Sequence, residues 1–242
     1  MSFDKCQLIK ARFNAARAAR AQAILSNLIS LEDELERLDV VAGLDVSYFN
    51  VNGVEYGVGV MVTLKYPELK PQKCFYTVRR VCVPYIPGLL AFREMEVLAP
   101  LLVYGLGEVN VDLILVDGHG IAHPRGFGIA SHVGLAFNLP SIGVAKRLLA
   151  GREELVGGRI LIIHEGRVVG GVLETEHGRL YISPGHRVSV DTSIRLVGAM
   201  VRRGSRLPEP TRLADEISKR LKKSKPSVGS KECTGALITA FT

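Results

Sequence analysis

Two aspartates in this chain stand where a carboxylate is costly. Asp45 interrupts the apolar run Val40-Val41-Ala42-Gly43-Leu44, and Asp117 ends a second one, Leu113-Ile114-Leu115-Val116. Buried strands disfavour charge unless it is paired. Alternation puts Asp45 on the face of Val41, Gly43 and Ser47, whose small members leave room around the carboxylate. Asp117 falls at the carboxyl edge of its strand, where open α/β sheets place ligands. On neighbouring strands the two groups face each other across about 4.8 Å. Two negative charges ~4 Å apart repel by ~4 kcal/mol at an effective dielectric of ~20. Such a pair must share a proton, separate, or hold a cation, and an all-oxygen donor set suits Mg²⁺. Glu94, in the first turns of a helix after Pro87-Gly88, is placed to complete the set, with Asp191 at the start of a later helix as a fourth candidate. Taken singly, each acid is more often a turn or cap residue. Their conjunction is what points to chemistry.

Two loops sharpen the pattern. Asp117-Gly118-His119-Gly120-Ile121-Ala122-His123-Pro124-Arg125 gathers an acid, two histidines, an arginine and two glycines. Its glycines let backbone amides approach a phosphate or a base closely, and its histidines can orient water or shuttle protons. Ser183-Pro184-Gly185-His186-Arg187 is expected to be a second such loop, ahead of a helix whose amino terminus favours an anion. Together with the carboxylates these loops fit metal-assisted phosphodiester hydrolysis. Lys146, closing a short strand, could counter charge on the phosphate; position alone equally suits a solvated lysine. Pro84-Tyr85-Ile86-Pro87 reads as a stiff apolar tip, either a wedge that replaces an extruded base or a turn packing Tyr85 inward.

The elements that must position these residues follow from periodicity. A helix is expected over about Gln7–Arg37, because Ile24, Leu28, Leu31, Leu35 and Leu38 recur at steps of four and three. Strands are expected at Val40–Val46, Val54–Leu64 and Cys74–Val83, then a helix over Leu89–Tyr104. Asp112–Asp117 reads as a central parallel strand, followed by a helix at Phe127–Phe137 and a strand at Ser141–Ala145, which is βαβ order. Further strands are expected at Arg159–Ile163, Val168–Leu173 and Arg179–Ile182, and helices at Val190–Arg202 and Pro210–Lys223. The expectation is one α/β domain spanning 1–242: three antiparallel strands, then parallel βα units, with flanking helices and a basic tail over 202–231.

Charge is unevenly spread. Ten of the 31 Lys and Arg and three of the 24 Asp and Glu lie between Arg202 and Lys231, which leaves 21 of each elsewhere and puts the whole +7 in that segment. A basic segment on a neutral body suits a polyanion, or is simply a solvated helix face. The four cysteines form no Cys-x-x-Cys pair, which excludes a zinc ribbon and argues for reduced thiols in a reducing compartment, hence a cytoplasmic protein. No secretory signal or apolar membrane span is visible. Six Asn and three Gln against 20 Arg hint at a heat-adapted source.

Four segments, in order, strongly resemble the endonuclease V family: Pro84-Tyr85-Ile86-Pro87-Gly88 with Phe92-Arg93-Glu94, Asp117 to Arg125, Ile142-Gly143-Val144-Ala145-Lys146, and Ser183 to Ser189. The likeness runs from about Val41 to Val201. It implies an RNase H-like fold and a Mg²⁺-dependent (or Mn²⁺-dependent) endonuclease that starts DNA repair. In that family the nick falls at the second phosphodiester bond 3′ to deoxyinosine or inosine, leaving 3′-hydroxyl and 5′-phosphate ends. Carried over by motif, Asp45, Glu94 and Asp117 are metal ligands and His186 a metal-site or water-orienting partner. His123 and Lys146 act on substrate and phosphate. Pro84, Tyr85, Ile86 and Pro87 form the strand-separating wedge, with Gly88, Leu90, Gly118 and Gly120 near the lesion pocket. The implied partner is inosine-containing DNA, with RNA as a second option, for a monomer off the membrane.

Two rivals stand beside this reading. A branch- or flap-directed endonuclease of the same fold would share the acids and ignore the base. A non-catalytic nucleic-acid-binding module would bind with steep salt dependence and never cut. A small-molecule hydrolase lacks any Gly-x-Ser-x-Gly elbow.

Overall fold

The computed structural model describes residues 4–234 and places ten strands in one mixed sheet. The long β-rich centre begins with β1 (Val40–Val51), β2 (Val54–Lys65) and β3 (Lys70–Arg80), paired antiparallel as the alternation predicts. Helix α3 (Leu90–Leu106) leads to β4 (Leu113–Asp117), which pairs parallel to β1 with Leu44 beside Val116. Helix α4 (Ile129–Phe137) and β5 (Ser141–Ala145) complete the parallel unit. From there the chain departs from the expected parallel pattern. Strands β6 (Arg152–Val156), β7 (Arg159–His164), β8 (Arg167–Thr175) and β9 (Gly178–His186) form an antiparallel meander that joins the sheet through β9 on β5. Ser183 to His186, expected as a loop, is therefore the end of a strand.

Helices cover both faces. Val41, Leu113, Leu115, Ile142 and Val144 pack against α5 (Val190–Met200) and α6 (Glu209–Ser224). Ala42, Leu44, Ile114 and Val116 pack against α3 and α4. Gly43 is where α6 comes closest: a Cβ there would lie 2.0 Å from the Pro210 carbonyl oxygen, so only glycine lets the helix seat directly on β1. The basic tail is thus α6 plus an edge strand, β10 (Gly229–Glu232), paired to β3.

The amino-terminal helix is shorter than its apolar stripe suggests. It is split into α1 (Lys5–Arg12) and α2 (Ala15–Leu25), with Asn14 capping the second, and ends in a 3-10 turn at Ser26–Leu28. Residues 29–39 leave the helix because tertiary partners claim their backbone: Arg187 N–H donates to Ser30 O and Glu34 N–H to Arg187 O. Leu35 and Leu38 reach the α5/α6 side of the core from this non-helical stretch.

The cysteines also depart from expectation. All four are paired, Cys6 with Cys82 and Cys74 with Cys233, which ties α1 to the start of the Pro84–Pro87 tip and β10 to β3. The spacing rule misses them because both bridges join residues remote in sequence, 76 and 159 positions apart. No described helix is long and apolar enough to cross a membrane.

Candidate active site

Three carboxylates meet at the carboxyl edge of β1 and β4. Asp45 and Asp117 lie on adjacent parallel strands and point to the α6 face, as alternation from Leu44 and Val116 requires. Helix α6 lowers Asp215 onto them, and one oxygen from each of Asp45, Asp117 and Asp215 lies within 4.8 Å of the others. No other group of three or more His, Cys, Asp or Glu with this property occurs among the described residues. Ser218, one turn beyond Asp215, donates to Asp45 Oδ2, and Ser47 stands 3.0 Å from the Ser218 hydroxyl. Lys146, next after β5 on the same face, sits 2.6 Å from Asp117 and 3.5 Å from Asp215.

The electrostatics follow from crowding and burial. Burial pushes Asp45 up to about 6 despite the Ser218 hydrogen bond, and Asp117 and Asp215 add to the rise. Glu94, reaching the same edge from α3 on the opposite face, is pushed up to about 8 by burial, then by Asp45 and Asp117. Burial works against the Lys146 ammonium, but Asp117, Asp215 and Asp45 outweigh it and hold it charged. Three carboxylate donors with a fourth beside them form the hard, all-oxygen set that a divalent cation requires.

A cavity of about 420 Å³ opens beside the acids, with Asp117 and Glu94 on its wall. Gly88, Leu90 and Gly118, assigned to the pocket by motif, line it together with His123, Tyr85 and Pro87. Gly120 instead lies under β9, where a Cβ would stand 1.9 Å from the Pro184 carbonyl oxygen. The Pro84–Pro87 tip projects outward, with Tyr85 66% exposed, so the inward-packed turn is not what forms. Its base is braced: Glu96 accepts from the Cys82 and Val83 amides at 2.9 and 2.8 Å, and Arg93 donates to Val83 O at 2.9 Å.

His123 is spoken for at both ring nitrogens. The Arg125 amide donates to Nδ1 at 3.2 Å, so Nε2 carries the proton and donates to Gly88 O at 3.0 Å. Burial, then Arg125, lowers it to about 4, which favours the neutral ring that braces the tip through Gly88 O. Arg125 also donates to Gly88 O and, at 2.7 Å, to Gln22 Oε1 of α2. That contact gives the amino-terminal helix a role that its sequence does not announce.

Two sequence candidates fall away from the site. His186 pairs with Ser141, at the opposite end of β5 from Lys146, about 16 Å away along a strand at 3.3 Å per residue. Its Nδ1 accepts the Ser30 amide at 3.2 Å, which makes it a tether for residues 29–39. Asp191 is 75% exposed at its side chain and pairs with Arg159 at 2.8 Å. The anion at the start of α5 is internal, since Asp33 accepts from the Ser189 amide and the Thr192 hydroxyl, both at 2.7 Å. Asp215 is the residue that sequence reasoning missed.

Comparison with known proteins identifies relatives over most of the chain. The family model described as Endonuclease V matches residues 23–216. The endonuclease V of Aeropyrum pernix is 46% identical over 88% of this chain and 82% of its own length, and that of Ignicoccus hospitalis 46% identical over 88% and 97%. The Bacillus subtilis endonuclease V structure superposes with a TM-score of 0.79 at 28% identity, covering 88% of this chain and 94% of that one. The Ciona intestinalis endonuclease V, solved in complex with a 24mer DNA containing an inosine followed by a ribo-adenosine, gives 0.77 at 28% identity over 87% and 98%.

Proposed function

The chain belongs to the endonuclease V family and is a nuclease of that type, and from that premise we propose that it nicks nucleic acid at the second phosphodiester bond 3′ to deoxyinosine or inosine, as a Mg²⁺-dependent step that opens repair. The observation that carries this reading is the convergence of Asp45, Asp117 and Asp215 within 4.8 Å beside a cavity walled by Asp117 and Glu94.

Asp45, Asp117 and Asp215 would hold the ion, with Glu94 beside them and Mn²⁺ able to replace Mg²⁺. Bound there, the cation supplies charge neutralisation and Lewis-acid polarisation of the scissile phosphodiester. Lys146, 2.6 Å from Asp117, offers an ammonium where that phosphate enters. Ser218 fixes one oxygen of Asp45 and leaves the other for ligation. Tyr85 and its prolines fill the gap left by an extruded base, which costs least for a mispaired one. The cavity then receives that base between Gly88, Leu90 and Gly118. Hypoxanthine carries a carbonyl and a ring N–H where adenine has an amino group and a bare nitrogen. Backbone groups set for the first are left unpaired by the second, at ~1–3 kcal/mol each.

A labelled duplex with one inosine, an inosine-free duplex and an inosine-free branched duplex, each with and without Mg²⁺, separate the readings. The expected result is a Mg²⁺-dependent nick in the inosine substrate alone, with 3′-hydroxyl and 5′-phosphate ends. Preferential cutting of the branch would favour the structure-directed rival and overturn the base-directed one.

A further inference from the structure

Helix α6 does two things at once. It carries Asp215 into the acid cluster, and beyond that residue it turns basic: Lys219 lies 2.5 Å from Asp215, and Lys222, Lys223 and the cap residue Lys225 follow, all exposed. Positions four, seven and eight residues after Asp215 share its side of a helix. At 1.5 Å per residue the ridge from Asp215 to Lys223 is about 12 Å long, which matches about three nucleotides of a duplex strand at 3.4 Å each.

The two faces of the sheet give this ridge a direction. The cavity that would take the base lies on the α3/α4 face, walled by Glu94, Gly118 and Ile129. Helix α6 lies on the other face, and the acids sit at the edge between them. A strand with its base in the cavity and its phosphate at the acids must therefore leave across α6. Resting on the function proposed above, in which the cut lies 3′ to the lesion, we propose that Lys222, Lys223 and Lys225 form the track for the phosphate backbone of the 3′ flank. These lysines also complement the carbonyl end of the helix, so stability measurements alone say nothing about the track.

The test compares the full-length protein with Lys222→Ala/Lys223→Ala and with a control, Lys65→Ala/Lys70→Ala, at the strand ends away from the acids, where Lys65 faces Val40 and Lys70. Binding is read by fluorescence anisotropy over a salt series, with Ca²⁺ in place of Mg²⁺, on inosine duplexes with long flanks, a shortened 3′ flank or a shortened 5′ flank. On the long duplex the ridge variant is expected to bind roughly tenfold more weakly, with a salt slope smaller by about 2, as for two lost phosphate contacts. That difference is expected to vanish when the 3′ flank is shortened and to persist when the 5′ flank is. Equal binding by wild type and ridge variant, or a loss that follows the 5′ flank, would overturn the track while leaving the inosine reading intact. A wild type that binds inosine and plain duplexes alike would overturn the function itself, and this inference with it.

Discussion

Carboxylates crowded as closely as Asp45, Asp117 and Asp215 make opposite demands on the folded chain with and without a cation. Glu94 and Asp45 are pushed up to about 8 and about 6, above their ordinary values. Metal-free, the folded protein keeps protons that the unfolded chain has released, so its stability falls as pH rises from about 4 toward 8. Cation binding needs the ionised forms and strengthens over the same range. The metal-free Tm is therefore expected to drop by several degrees between about pH 5 and 8, at about 2–4 °C per kcal/mol. Mg²⁺ should raise Tm more at the upper end, and Glu94→Gln should flatten the metal-free slope; a Tm independent of pH would contradict the burial argument. Replacing Asp215 by Asn should weaken Mn²⁺ binding and nicking by about 100-fold or more, since even outer-shell changes cost 10–100-fold. Asp191→Asn should leave both within about twofold, by titration and nicking assay. Asp45 and Asp117 were legible because each breaks an apolar strand. Asp215 was not, because it sits among charged residues on an amphipathic helix. The signal lay in its neighbours: Thr211, Ala214 and Ser218, small and buried, mark the side of α6 that meets the sheet.

At the scale of elements, the seat of α6 on β1 decides where Asp215 goes. A methyl group at Gly43 would strike the backbone at Pro210, so Gly43→Ala is expected to lift the helix, cost about 1–3 kcal/mol of stability and lower nicking more than binding. Wild-type nicking in a destabilised variant would separate the helix seat from catalysis. The strands and the βαβ unit were readable from alternation and apolar runs. Residues 29–39 were not: their leucines keep a helical period, yet hydrogen bonds with Arg187 and His186 hold them elsewhere. The four cysteines were unreadable for a related reason, since pairing across 76 and 159 positions is a property of the folded sheet. Reduction of both bridges should lower Tm by roughly 15 °C or more, taking about 4–5 kcal/mol per long-loop bridge and about 2–4 °C per kcal/mol. Thiol titration of the denatured, unreduced protein should find none.

Across the whole molecule the charge partition and the fold coincide. A body with equal numbers of acids and bases carries one basic segment, and that segment folds back so that its helix delivers both the third carboxylate and the lysine ridge. The composition legible in the sequence, poor in asparagine and glutamine, goes with the two disulfides, since both features recur in proteins of hyperthermophiles. Cation ligation is the central requirement of the proposed chemistry. A crystal soaked with Mn²⁺, with anomalous scattering measured at the manganese edge, reads it directly. Manganese density is expected between the carboxylates of Asp45, Asp117 and Asp215. Manganese found only elsewhere on the protein, with those three aspartates left unligated, would contradict it.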